Sequence, residues 1–186
     1  MTLLQTRQDL GRAKNALQDY LIKKLLVPKV YLDADWDGVS VDVLAVDRAG
    51  SGDVHAVQLF PLDQGIGIRA AFVLFANPSL RSADGLISPV EGLRSLPCHY
   101  RYVGVVGDGP VEHKLNVADY GLSQWLAEDG VGRIGILYVD LSDDEPSVQV
   151  VLKAERFRSS KEILELADRF VAENTPNWQI PEDDRI

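Results

Sequence analysis

An α/β fold, a mixed central β-sheet flanked by helices, is predicted from three observations. Apolar residues recur at helical spacing near the start of the chain. Short β-type runs follow one another with Gly- and Asp-rich turns between them. Two helix-type segments stand between later strands, where only a crossover of a dozen or more residues can join parallel neighbours. The first helix carries Leu10, Ala13, Leu17, Tyr20, Leu21 and Leu25 on one stripe and is stopped by Pro28. Strands are expected at Lys29–Leu32, Val39–Val46 and Val54–Phe60, the last two as a hairpin around Arg48-Ala49-Gly50-Ser51-Gly52-Asp53. Residues 63–77 read as a mostly apolar crossing helix that Pro78 ends. Residues 78–98 hold three Pro and four Ser and are expected to form an irregular lid or binding loop.

Tyr100–Val106 reads as a buried strand. A helix opening at Asn116, with Ala118, Leu122, Trp125 and Leu126 inward, runs to Gly130. Arg133–Leu141 and Val148–Phe157 form a second hairpin across Ser142-Asp143-Asp144-Glu145-Pro146. Ser159 and Glu162 have capping-box spacing and open a last helix with Ile163, Leu166, Ala167, Phe170 and Val171 on one side. Residues 1–173 are therefore read as one domain and 174–186 as an extended tail.

The chain has 186 residues, and 19 Lys+Arg against 28 Asp+Glu leave a net charge of −9. An acidic chain repels phosphate backbones unless its basic residues gather on one face. Residues 1–30 do carry a local excess: six basic residues (Arg7, Arg12, Lys14, Lys23, Lys24, Lys29) against Asp9 and Asp19. One cysteine, Cys98, and three scattered His exclude an internal disulfide and a structural zinc of the usual spacing. The longest unbroken apolar stretch, 70–76, is far short of a membrane span, and the expected setting is cytoplasmic with no membrane partner.

The hairpin from Gly38 to Phe60, with Asp42 on its first strand, resembles the central hairpin of the PD-(D/E)XK, or restriction-endonuclease-like, superfamily. The likeness covers residues 10–157 as an order of elements and includes the amphipathic helix before the hairpin and the run Gly130 to Asp140. It implies a nuclease-like fold in which an Asp on the second strand and an acidic residue plus Lys on the third hold magnesium and activate water. By that likeness Asp42 is the first metal ligand. Gln58 stands where the acidic residue belongs and Phe60 where the Lys belongs, so the motif is degenerate. An amide contributes no charge, and a ring cannot replace an ammonium beside a phosphate. Lys114 and Lys153 are candidates for a Lys supplied from elsewhere.

The run Asp33-Ala34-Asp35-Trp36-Asp37-Gly38 matches the opening of an EF-hand loop, where Asp33, Asp35 and Asp37 would ligate calcium. Position 12 of that frame is Leu44, which lacks the bidentate carboxylate, and the run is read as a solvated turn between strands. The same run is similar to the first Asp motif of DHH phosphoesterases, but the chain has no Asp-His-His triplet. Gly65-Ile66-Gly67 and Gly107-Asp108-Gly109 read as turns, and His99 beside Cys98 as strand residues that do not face one another.

The expected function is a non-catalytic binding or structural module with a decayed metal site and no cofactor, its partner a protein or a nucleic acid held through the first helix and the long loop. The alternative is a magnesium-dependent nuclease in which Asp42, Gln58 and Lys114 or Lys153 do the work. The feature that separates the two is a Lys amine beside Asp42.

Overall fold

A computed structural model describes residues 3–47, 52–61, 93, 96–109, 134–157 and 161–179. Helix α1 (Leu3–Leu25) precedes an antiparallel meander of β1 (Lys29–Trp36), β2 (Val39–Val46) and β3 (Val54–Pro61). β4 (Tyr100–Gly107) and β5 (Gly135–Asp140) follow, then β6 (Ser147–Leu152), α2 (Lys161–Glu173) and a two-residue β7 (Trp178–Gln179). The sheet order is β6-β5-β4-β3-β2-β1-β7. β3, β4 and β5 are mutually parallel and every other neighbour is antiparallel, so the sheet is mixed and the fold class is α/β as expected. The helices expected at 63–77 and 116–130, Ser159 of the capping box, and all of the 78–98 loop except Leu93 and residues 96–98 lie outside the described residues.

Each face of the sheet carries its own core. On one, Ala13, Leu17 and Leu21 of α1 pack with Val30, Val43, Ala45, Val57, Leu59 and Val139. A Cβ at Gly104 would lie 2.7 Å from a Leu59 methyl and 3.6 Å from one of Leu17, so the bare backbone of β4 lets Leu59 lie across it beneath α1. On the other face Ile163, Ala167 and Phe170 of α2, at the i, i+4, i+7 spacing of one stripe, pack with Tyr31, Trp36, Val41, Leu44 and Ala56. Phe170 meets both Tyr31 (centroids 4.9 Å apart) and Trp36 (5.3 Å) edge to face.

β1 is longer than the Lys29–Leu32 read from sequence, because Asp33 to Trp36 belong to the strand rather than to the turn. The turn proper is Asp37-Gly38, both at positive φ (55° and 77°), the two-residue primed turn whose twist matches a hairpin. Asp35 accepts the Gly38 N–H at 2.9 Å and braces it. The second hairpin is shorter than expected: β6 ends at Leu152, and Phe157 N–H has turned to the His99 carbonyl. The C-terminal segment is tied down, since β7 pairs with Lys29 and Val30 while Asn177 bonds Val30 and Leu32.

Candidate functional site

Counting back from the Asp37-Gly38 turn, the ladder pairs Trp36 with Val39, Ala34 with Val41 and Leu32 with Val43. Asp33 therefore stands opposite Asp42. Like charges directly opposite one another destabilise a sheet unless a cation lies between them. Here the cation is Lys14 of α1, whose ammonium binds Asp33 and lies 2.9 Å from Asp42 Oδ1. Burial pulls the Lys14 pKa down, and the hydrogen bonds and charges of the two aspartates outweigh it, holding the ammonium above the ordinary lysine value. Lys14 and Asp42 side chains are 15% and 18% exposed, whereas Asp33 is 71% exposed, so the inner pair is the one shielded from water.

The local backbone is unusual here. Asp33 has φ 53°, a left-handed conformation that Asp tolerates better than most residues. Both strands change face at this pair: Tyr31 and Ala34 share the α2-side core, while Val41 and Val43 lie in opposite cores. The β2–β3 ladder runs from Val46 to Val43, and one residue further on the Asp42 side chain takes over from the backbone. Its Oδ2 accepts the Leu59 N–H at 2.8 Å and the Gln58 Nε2–H at 2.5 Å. Asp42 thus pins the point where the two strands separate, on the carboxyl-terminal half of β3, the end at which open α/β sheets bind ligands.

Asp42 and Gln58, the sequence-derived candidates, are brought together, and a Lys amine is indeed beside Asp42. It comes from neither expected source. Lys114 lies outside the described residues. Lys153 follows β6, whose Leu152 pairs with Ile136 near the start of β5, at the opposite end of the sheet from Asp42. Asp33, Asp35 and Asp37 do not share a ligand geometry: one binds Lys14, one braces the turn, and one is an exposed turn residue. Among the described residues no group of three or more His, Cys, Asp or Glu is arranged to hold a metal. A magnesium ion needs free oxygens, and both Asp42 oxygens accept hydrogen bonds while Gln58 presents its NH₂ rather than its carbonyl, so the donor set does not fit the ion.

Lys14 is the residue the sequence reading passed over. The signal was present: it lies four residues after Leu10 and three before Leu17, on the buried stripe, where a Lys requires a carboxylate.

A groove of about 880 Å³ between α1 and the β5–β6 turn is lined by Arg12, Lys23, Lys24, Asp144 and Glu145 and includes none of the Asp42 group. Its charges are mixed, and two of its basic side chains have partners within the fold. Arg12 donates to the Leu141 and Asp143 carbonyls, and Lys23 pairs with Asp19 at 2.7 Å.

At the amino-terminal end of the parallel strands a second polar cluster is structural. Arg156 grips Asp53 through Nε and an Nη (2.8 and 2.6 Å). His99 Nδ1 accepts the Val54 N–H, which places the proton of the neutral ring on Nε2. Arg101 donates twice to the Leu96 carbonyl and lies over the Phe157 ring at 4.7 Å. Burial pushes the Cys98 thiol up to about 12, so no thiolate is available for nucleophilic chemistry. His55, stacked on Tyr100 at 4.6 Å, is lowered to about 4 by burial, which outweighs the charges of Asp53 and Asp47. The unfolded ring titrates near 6.5, so between pH 6.5 and 4 the unfolded chain binds the extra proton. Stability should be full above pH 6.5 and fall as pH drops toward 4, by on the order of 3 kcal/mol from this group at one pKa unit per 1.36 kcal/mol. Denaturant midpoints across that range should show the slope, and His55→Phe, which keeps the stack, should flatten it.

No family model matches the chain, and no curated protein matches it. It is similar to a solved structure of a protein of unknown function from Silicibacter pomeroyi, at 14% identity and TM-score 0.48, covering 89% of this chain and 83% of that one.

Proposed function

We propose that the chain is a non-catalytic binding or structural module on a restriction-endonuclease-like fold, its magnesium site converted into a structural pin. Support for the fold reading comes from the order helix, three-stranded meander, parallel fourth strand, and from the meeting of Asp42 and Gln58, the two positions that the resemblance singles out. The observation that carries the functional reading is the full use of the Asp42 carboxylate by Lys14, Gln58 and the Leu59 N–H. A partner held by phosphate contacts is disfavoured, since Arg12, Lys14 and Lys23 of α1 are already spent on partners within the fold. A protein partner fits better.

One observation favours the nuclease alternative: the Lys14 ammonium lies where a water-activating lysine beside Asp42 would act, delivered by α1 instead of position 60. A plasmid-nicking assay with magnesium or manganese separates the readings. The natural protein should not nick, and titration calorimetry should detect no binding of either ion. Combining Lys14→Met with Gln58→Glu removes the competing cation and adds a carboxylate, and should create measurable divalent binding. Robust nicking by the natural chain, lost in Lys14→Met and in Asp42→Ala, would promote the nuclease.

A further inference from the structure

The corner where β3 begins is fastened by a histidine that has no room for a second proton. His99 is fully buried. Its backbone accepts the Phe157 N–H at 2.8 Å and donates to the Val54 carbonyl at 2.9 Å, so it joins the segment after β6 to the start of β3. Its ring completes the tie: Nδ1 accepts the Val54 N–H at 3.0 Å, and among the described residues Nε2 has no hydrogen-bond partner. A neutral ring with its proton on Nε2 can take another only at Nδ1. That proton would point at the Val54 N–H, donor against donor, so the Val54 bond has to break before the ring can be charged. The carboxylate that faces the ring is Asp53, whose Oδ1 lies 3.9 Å from Nδ1 and is the oxygen that Arg156 holds through both Nε and an Nη. A protonated His99 therefore competes with Arg156 for one oxygen.

We propose that His99 is an acid-sensitive latch: its protonation releases Arg156 and Phe157 from the start of β3 and opens this corner in weak acid while the sheet stays folded. The charges around the ring set the direction. Burial disfavours the imidazolium, Asp53 favours it, and Arg156 and Arg101 oppose it, so the closed ring titrates below its ordinary value of 6.5. His55 of β3, the other ring within electrostatic reach, stays neutral down to about 4. A ring freed by opening regains the ordinary value, so opening takes up a proton. The latch is therefore fully closed above pH 6.5 and weakens as pH falls below it. What it covers is Cys98. Phe157 lies over Arg101, the Arg101 side chain is hydrogen-bonded to Cys98, and Phe157 packs against the α2-side core to which Cys98 belongs. Only residues 153–157 need move, and they belong to neither β6 nor α2.

Cys98 is the only cysteine in the chain, so its labelling reads the opening. The probe is 4,4′-dithiodipyridine, which reacts with thiols in weak acid. Its rate with the full chain, divided by its rate with glutathione at the same pH, should rise about tenfold between about pH 7 and pH 5 with the far-UV circular dichroism unchanged. His99→Asn keeps an oxygen for the Val54 N–H and has nothing to titrate, so it should abolish the rise. Arg156→Gln removes an opposing charge and the competitor for Asp53, and should move the rise to higher pH. His55→Phe should leave it in place, which separates the latch from global acid unfolding. Should His99→Asn fail to fold, NMR of the imidazole nitrogens in the natural chain gives the second reading: His99 should pass from the Nε2–H tautomer to the imidazolium over the range in which labelling accelerates. A rate independent of pH, a rise that survives His99→Asn, a rise that coincides with loss of circular dichroism, or a His99 ring that stays neutral while labelling accelerates would overturn the proposal.

Discussion

Asp42→Ala is expected to destabilise the protein by about 2–4 kcal/mol, the cost of losing charge-assisted hydrogen bonds and leaving a half-buried N–H of Leu59 without its acceptor. From sequence alone, as the remnant of a ligand set, Asp42 is expected to alter stability only modestly when replaced by Ala. In the fold its carboxylate replaces the backbone of β2 as the partner of β3 and answers the charge of Lys14. For a chain of this length the melting temperature should fall by about 5–15 °C. Asp42→Asn keeps an oxygen for the Leu59 N–H and loses only the charge, so it should recover roughly half of the loss. Guanidinium unfolding followed by circular dichroism measures both, and an alanine variant as stable as the natural chain would remove Asp42 from the account of the fold.

Trp36→Ala carries the largest expected loss, about 3–5 kcal/mol. Trp36 is fully buried, packs edge to face on Phe170 of α2 and donates its indole N–H to the Pro97 carbonyl at 3.0 Å. Truncation opens a cavity between sheet and α2 and leaves that carbonyl without its donor. The same unfolding experiment reads it, and a loss under about 1 kcal/mol would mean that α2 does not seal this face of the core.

The parts of the fold that were legible in the sequence are those where one period governs many residues. The α1 stripe, the three-strand meander and the α2 stripe all follow from apolar spacing, because burial on one side is what that spacing encodes. The site was half legible. Asp42 and Gln58 were marked by resemblance, but the residues that complete the arrangement were hidden by two local conflicts. Asp33 and Asp35 are poor strand formers, so their segment read as a turn, although Asp37-Gly38 is by itself a strong two-residue hairpin signal. Counting outward from that dipeptide would have set Asp33 against Asp42. Two opposed carboxylates would then have demanded a cation, and Lys14 on the buried stripe of α1 was a charged residue already requiring a partner. The change of face at Asp33 and Asp42 could not be read, because it depends on a left-handed backbone at a residue other than glycine.

Asp42 is expected to serve the fold through Lys14, Gln58 and Leu59 rather than through a metal ion. Thermal unfolding of the natural chain and of Asp42→Asn, each with and without millimolar magnesium, tests it most directly, because an ion bound only by the folded state raises the melting temperature by mass action. Asp42→Asn should melt at a lower temperature, and neither protein should respond to magnesium. A rise of several degrees with magnesium in the natural chain, absent from Asp42→Asn, would contradict it.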